Sequence, residues 1–113
     1  MKSMIWILAL ILMAYLLMGC KSDITPKEAK KLVKEGAFLL DVRTRGEFKN
    51  GHITKAVNIP VSELMSRLKE LPDKKKTIVV YCRSGRRSGR AQKMLKAKGY
   101  ASVHNLGAMS NWK

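Results

Sequence analysis

The stretch that decides the fold is Thr77-Ile78-Val79-Val80-Tyr81-Cys82-Arg83-Ser84-Gly85-Arg86-Arg87-Ser88. Its apolar, β-branched first half predicts a buried strand running into Cys82. From Ser88 to Lys98 the residues favour helix, and Gly99 closes it. A cysteine between a strand end and a helix start sits where free backbone N–H groups and the positive end of the helix dipole converge. Three arginines within the five residues after Cys82 add fixed positive charge. Both effects favour thiolate over thiol, so Cys82 is expected to have a lowered pKa and to be nucleophilic. A lone cysteine is ordinarily a small buried hydrophobe. A merely structural one would gain nothing from an arginine- and glycine-rich loop.

Working outward, the chain alternates strand and helix signals. Thr25-Pro26-Lys27-Glu28 reads as a helix start, with Thr25 as N-cap, Pro26 at the first helical position and Glu28 completing a capping box. Ala29, Leu32 and Val33 form its apolar stripe, and Gly36 ends it. Ala37 to Val42 reads as a buried strand. Thr44 and Glu47 offer a second capping box, and Arg43 and Glu47, four apart, can pair. Ala56 to Ile59 reads as a short strand closed by Pro60. Val61, Leu64, Met65, Leu68 and Leu71 recur at helical spacing, predicting an amphipathic helix over 62–71 with Met65 in the core. Lys74-Lys75-Lys76 reads as a solvated turn, and Ser102 to Leu106 as a last strand. Strands alternating with helices imply a single α/β domain with a mostly parallel sheet and helices on both faces. Ligands in such folds sit at the carboxyl ends of the strands, where Cys82 falls.

Composition narrows the function. With 113 residues, one domain is expected. The net charge of +15 suits anionic substrates or surfaces. The few aromatic residues do not interleave with basic ones as in single-strand binders, so nucleic acid is not an expected partner. Cys20 and Cys82 are the only cysteines, and no Cys/His cluster has metal-ligand spacing. Neither a metal nor a cofactor is expected.

Cys82-x-x-Gly85-x-Arg87-Ser88 resembles the active-site loop of single-domain rhodaneses, the sulfurtransferases. Asp41-x-Arg43-x-x-x-Glu47-Phe48-x-x-Gly51-His52-Ile53 resembles a second signature of that family, and Gly107-Ala108 through Trp112 its closing segment. The resemblance runs from about Ile24 to Trp112. It implies a rhodanese-like fold and a thiosulfate sulfurtransferase, expected to be a monomer, that passes sulfur from a small anionic donor to a thiol or cyanide-like acceptor. The carrier would be a Cys82 persulfide. Arg83, Ser84, Gly85, Arg86 and Arg87 would bind substrate, Arg83 and Arg86 above all, because the family position of Arg87 is more structural. Asp41, Arg43 and Glu47 would support the site. His52 reads as structural rather than catalytic, and His104 as an edge or surface histidine. The family usually has Gly-Ala where this chain has Lys55-Ala56. Two other functions share the motif: a membrane-attached persulfide carrier with little small-molecule turnover, and a phosphatase or arsenate reductase on the same fold. The latter needs arginine six positions after the cysteine, where this chain has Ser88.

Residues 1–20 read as a targeting segment and 21–113 as the domain. Lys2 precedes a 15-residue apolar stretch from Met4 to Met18, the length of a signal h-region and short for a bilayer span. Leu17-Met18-Gly19-Cys20 resembles a bacterial lipobox, which implies cleavage before Cys20 and lipid on its sulfur, with the domain facing the periplasm. The alternative is an uncleaved anchor. The lysines after the segment would then keep the domain in the cytoplasm.

Overall fold

A computed structural model describes residues 22–113. The expectations for Met1–Cys20, including lipidation of Cys20, lie outside the described residues. Four strands, β1 (Phe38–Asp41), β2 (Val57–Asn58), β3 (Ile78–Cys82) and β4 (Val103–Ala108), form one parallel sheet in the order β2-β1-β3-β4. The helices are α1 (Pro26–Lys34), α2 (Arg45–Lys49) and α3 (Arg86–Ala97).

The period-2 geometry of β3 divides its side chains between two cores. Ile78, Val80 and Cys82 point into a cluster with Leu40, Leu64, Ala91 and Leu95, under α3. Val79 and Tyr81 point into the opposite cluster with Ile24, Ala29, Leu39 and Leu106, under α1. Every residue of β3 is buried, which is why this stretch is apolar throughout rather than alternating. The expected α/β architecture, with helices on both faces, is what forms.

Several local expectations are corrected. Residues 62–71 do not form an α-helix; Val61–Ser66 and Leu68–Glu70 are two 3-10 segments, separated at Arg67. Three residues per turn keep Val61 and Leu64 on one face and rotate Met65 off it, so Met65 is 37% exposed and not core. Arg67 pairs with both Glu63 and Glu70, joining the two segments. Helix α3 begins two residues before Ser88, at Arg86. Thr25 caps α1 by accepting from the Glu28 N–H at 3.1 Å, but the Glu28 carboxylate accepts from the Thr25 hydroxyl rather than from its backbone, so there is no reciprocal box.

The stretch before Ile24 is tied down within the described residues. Asp23 N–H donates to Asn105 O at 2.9 Å, and Asp23 Oδ1 accepts from Asn105 N–H at 2.8 Å. Lys55 takes the left-handed region at φ 75°. The departure from Gly-Ala therefore places a side chain in a conformation that favours glycine.

Candidate active site

Strand β3 ends on Cys82, and Gly85 adopts φ 97° as the N-cap of α3. A residue with a Cβ resists that angle. It turns the loop so that the Gly85 N–H donates to Cys82 Sγ at 3.0 Å and the Ser88 N–H at 3.4 Å. The Ser88 hydroxyl lies 3.4 Å from Sγ and also donates to Gly85 O at 3.1 Å. Cys82 has no exposed surface. Burial, the largest influence, pushes its thiol up. The hydrogen bond shared with the Ser88 hydroxyl, together with those from the Ser88, Gly85 and Ser84 amides, outweighs it, so the pKa falls below the ordinary thiol value. The sulfur is thus both a core atom and an anion-ready one.

The loop arginines divide. Arg83 and Arg86 are exposed, as is Ser84. Arg87 turns away to clamp Glu47 in a fork, Nη1 to Oε1 at 2.7 Å and Nη2 to Oε2 at 3.0 Å. Glu47 also closes a capping box on α2 with Thr44. The guanidinium of Arg87, with Thr44 assisting and slight burial opposing, lowers the Glu47 pKa to about 2.

Arg43 does not take the Glu47 partner that the spacing allowed. It folds back onto Asp41, Nη2 to Oδ2 at 2.7 Å, and donates from the same nitrogen to Gly51 O at 2.7 Å. Asp41 is fully buried and Arg43 5% exposed, so this is an interior ion pair. Asn58 Nδ2 donates to the carbonyls of both residues, at 3.0 and 2.9 Å. The Arg43 guanidinium lies 5.6 Å from the Tyr81 ring centroid, and Tyr81 Oη accepts from the Ile53 N–H at 3.1 Å. Asp41, Arg43 and Glu47 therefore brace the neighbouring loops and touch no sulfur. His52 donates from Nδ1 to Phe48 O at 2.9 Å and stacks on the Phe48 ring at 3.7 Å.

Sequence reasoning passed over Ser88 as a partner of the sulfur, and Asn58 and Tyr81 as braces. For Ser88 the signal was present: a hydroxyl at the first turn of the helix that follows the cysteine. Nothing in the sequence flags Asn58, whose partners are backbone carbonyls of a neighbouring strand and loop. Among the described residues no group of His, Cys, Asp and Glu could hold a metal ion.

A parallel α/β sheet with an amide-lined cysteine loop at its carboxyl edge defines a class of domains that work through a cysteine anion. The particular family follows from comparison: residues 25–113 match the rhodanese-like domain, and the chain belongs to that family. Thiosulfate sulfurtransferase PspE of Escherichia coli is 38% identical over 73 residues, spanning 64% of this chain and 70% of that protein. A sulfurtransferase of Allochromatium vinosum is 39% identical over 79 residues, spanning 69% and 73%. Among solved structures, the human single-domain sulfurtransferase TSTD1 superposes with a TM-score of 0.72 at 32% identity, covering 81% of this chain and 95% of that one. A rhodanese with anions from E. coli gives a TM-score of 0.64 at 36% identity, covering 67% and 91%.

Proposed function

We propose that the chain is a thiosulfate sulfurtransferase working through a Cys82 persulfide. The observation that carries this reading is the set of loop N–H groups converging on a buried sulfur. The Cys82 thiolate attacks the outer sulfur of thiosulfate, the S–S bond of the donor breaks, and sulfite leaves with the bonding electron pair. The product, Cys82–S–S⁻, keeps its anion beside the same N–H groups, as an oxyanion hole holds oxygen. A thiophilic acceptor, cyanide or a thiol, then takes the outer sulfur and restores the thiolate. Arg83 and Arg86, free of carboxylate partners among the described residues, attract the sulfonate end. Since Sγ has no exposed surface, the loop shifts to admit the donor. The E. coli rhodanese described with anions supports a site for anionic ligands.

The phosphatase alternative loses its key group. Position 88 is a serine bonded to the sulfur, and Arg87 is committed to Glu47. The sequence from Met4 to Cys20 supports attachment to a membrane, through lipid on Cys20 or through the apolar stretch itself, and we include that in the proposal.

Intact mass before and after thiosulfate tests the chemistry. A gain of about 32 Da marks one added sulfur, lost again on adding cyanide and absent in Cys82→Ser. No gain discards thiosulfate as donor. A persulfide that forms with negligible turnover supports the carrier reading instead.

A further inference from the structure

From Lys74 to Lys113 the chain has eleven basic residues and no Asp or Glu. Helix α3 concentrates part of this charge. Arg86, Arg90, Lys93 and Lys96 are exposed and recur every three or four residues, forming one stripe along the helix. Pairing elsewhere sets the stripe apart. Arg43, Arg45, Arg67 and Arg87 each hold a carboxylate. Among the described residues, no stripe residue holds one.

The second observation is where the chain enters the domain. Asp23 is bonded to β4 through Asn105, and its other carboxylate oxygen accepts from Gln92 Nε2 on α3. Gln92 lies one turn before Lys96. The entry point is therefore held beside α3. In the sequence the apolar stretch ends at Met18, four residues before Ser22, and four residues span at most about 14 Å. A domain tethered that closely keeps α3 near one to two Debye lengths of the bilayer surface, about 8–10 Å each.

We propose that the α3 stripe docks on anionic lipid headgroups, so that the domain lies against the membrane rather than swinging free of it. This inference rests on the membrane attachment proposed above. Each Lys or Arg near an anionic surface contributes roughly a fivefold gain in partitioning, and a helical row presents several to one plane.

The test uses the full chain, purified in detergent and reconstituted into phosphatidylcholine vesicles with or without 30–40% phosphatidylglycerol, roughly the anionic range in which polybasic segments respond. Flotation reads attachment, and acetylation rates of Lys93 and Lys96 read docking, with Lys27 and Lys49 as references. The expected result is flotation with both vesicle types and acetylation of Lys93 and Lys96 slowed severalfold by phosphatidylglycerol alone, reversed by high salt. Lys93→Gln/Lys96→Gln should fold and turn over thiosulfate normally. Flotation with equal acetylation in both vesicle types overturns docking and leaves attachment standing. Flotation only with phosphatidylglycerol, abolished by the double variant, overturns attachment and supports docking. Failure to float with either overturns both. Protection by added polyglutamate but not by phosphatidylglycerol would overturn the lipid in favour of an acidic protein.

Discussion

At the scale of single residues, Ser88 controls what the cysteine can be. A hydroxyl has one proton to donate. With Cys82 as a thiol, Sγ–H donates to Ser88 Oγ while the Ser88 proton goes to Gly85 O. With Cys82 as a thiolate, the sulfur accepts, and the hydroxyl can turn to meet it. Ser88→Ala removes this response and leaves the Gly85 and Ser88 amides in place. The Cys82 pKa should rise. Thiolate absorbance against pH measures it directly, and the acid limb of the kcat/KM profile should move up by the same amount. An unmoved limb would mean that the amides alone set the thiolate. The role of Ser88 was legible only in part: its place at the first turn of the helix could be read, but not the turn at Gly85, whose angle brings position 88 back over position 82. The placement of Cys82 between the end of β3 and the start of α3 was legible, since it needed only the local strand and helix signals.

At the scale of elements, two ion pairs of different kinds brace the segment after β1: Arg43–Asp41 within it, and Glu47–Arg87 across to the cysteine loop. Arg43–Asp41 is interior. Truncating Arg43 leaves a buried carboxylate without its cation, a loss of about 3–5 kcal/mol. Arg43→Met should therefore unfold at much lower denaturant than wild type, and adding Asp41→Asn should recover part of the loss. If the double variant is no better than the single, the buried charge is not the cause. Glu47–Arg87 is only part-buried, and it reads out in pH. The Glu47 pKa is lowered from 4.5 to about 2 on folding. Its contribution is complete above about 4.5 and is lost as pH falls toward 2. Thermal melts of wild type and Glu47→Gln should differ most at neutral pH and converge across that interval. The capping box behind Glu47 was legible from Thr44-x-x-Glu47, a local pattern. The partner of Glu47 lay forty residues away and was not; spacing suggested Arg43, which instead finds Asp41 two residues back. The 3-10 segments escaped for a related reason. Val61 with Leu64, and Leu68 with Leu71, are each three apart and suit either period, and contact with the α3 face of the sheet decides between them.

At the scale of the whole molecule, charge is the property most plainly written in the sequence and least spent within the fold. Eight acids face twenty-three Lys and Arg. Six of those acids, Asp23, Glu28, Asp41, Glu47, Glu63 and Glu70, are engaged by named side-chain partners. The surplus is therefore self-repulsive, and repulsion between exposed charges is screened by salt. Raising NaCl from 10 to 200 mM, across which the Debye length falls from about 30 Å to below 10 Å, should raise the melting temperature by a few degrees. Under the proposed function, attraction of the donor thiosulfate to Arg83 and Arg86 would be screened by the same ions, so kcat/KM should fall severalfold over the same range while kcat changes little. The two responses have opposite signs, and that opposition is the test. A melting temperature that fell with salt would mean that the ion pairs outweigh the repulsion. A salt-independent kcat/KM would mean that the loop arginines do not steer the donor, and would move the anion-binding role to the amides around Cys82.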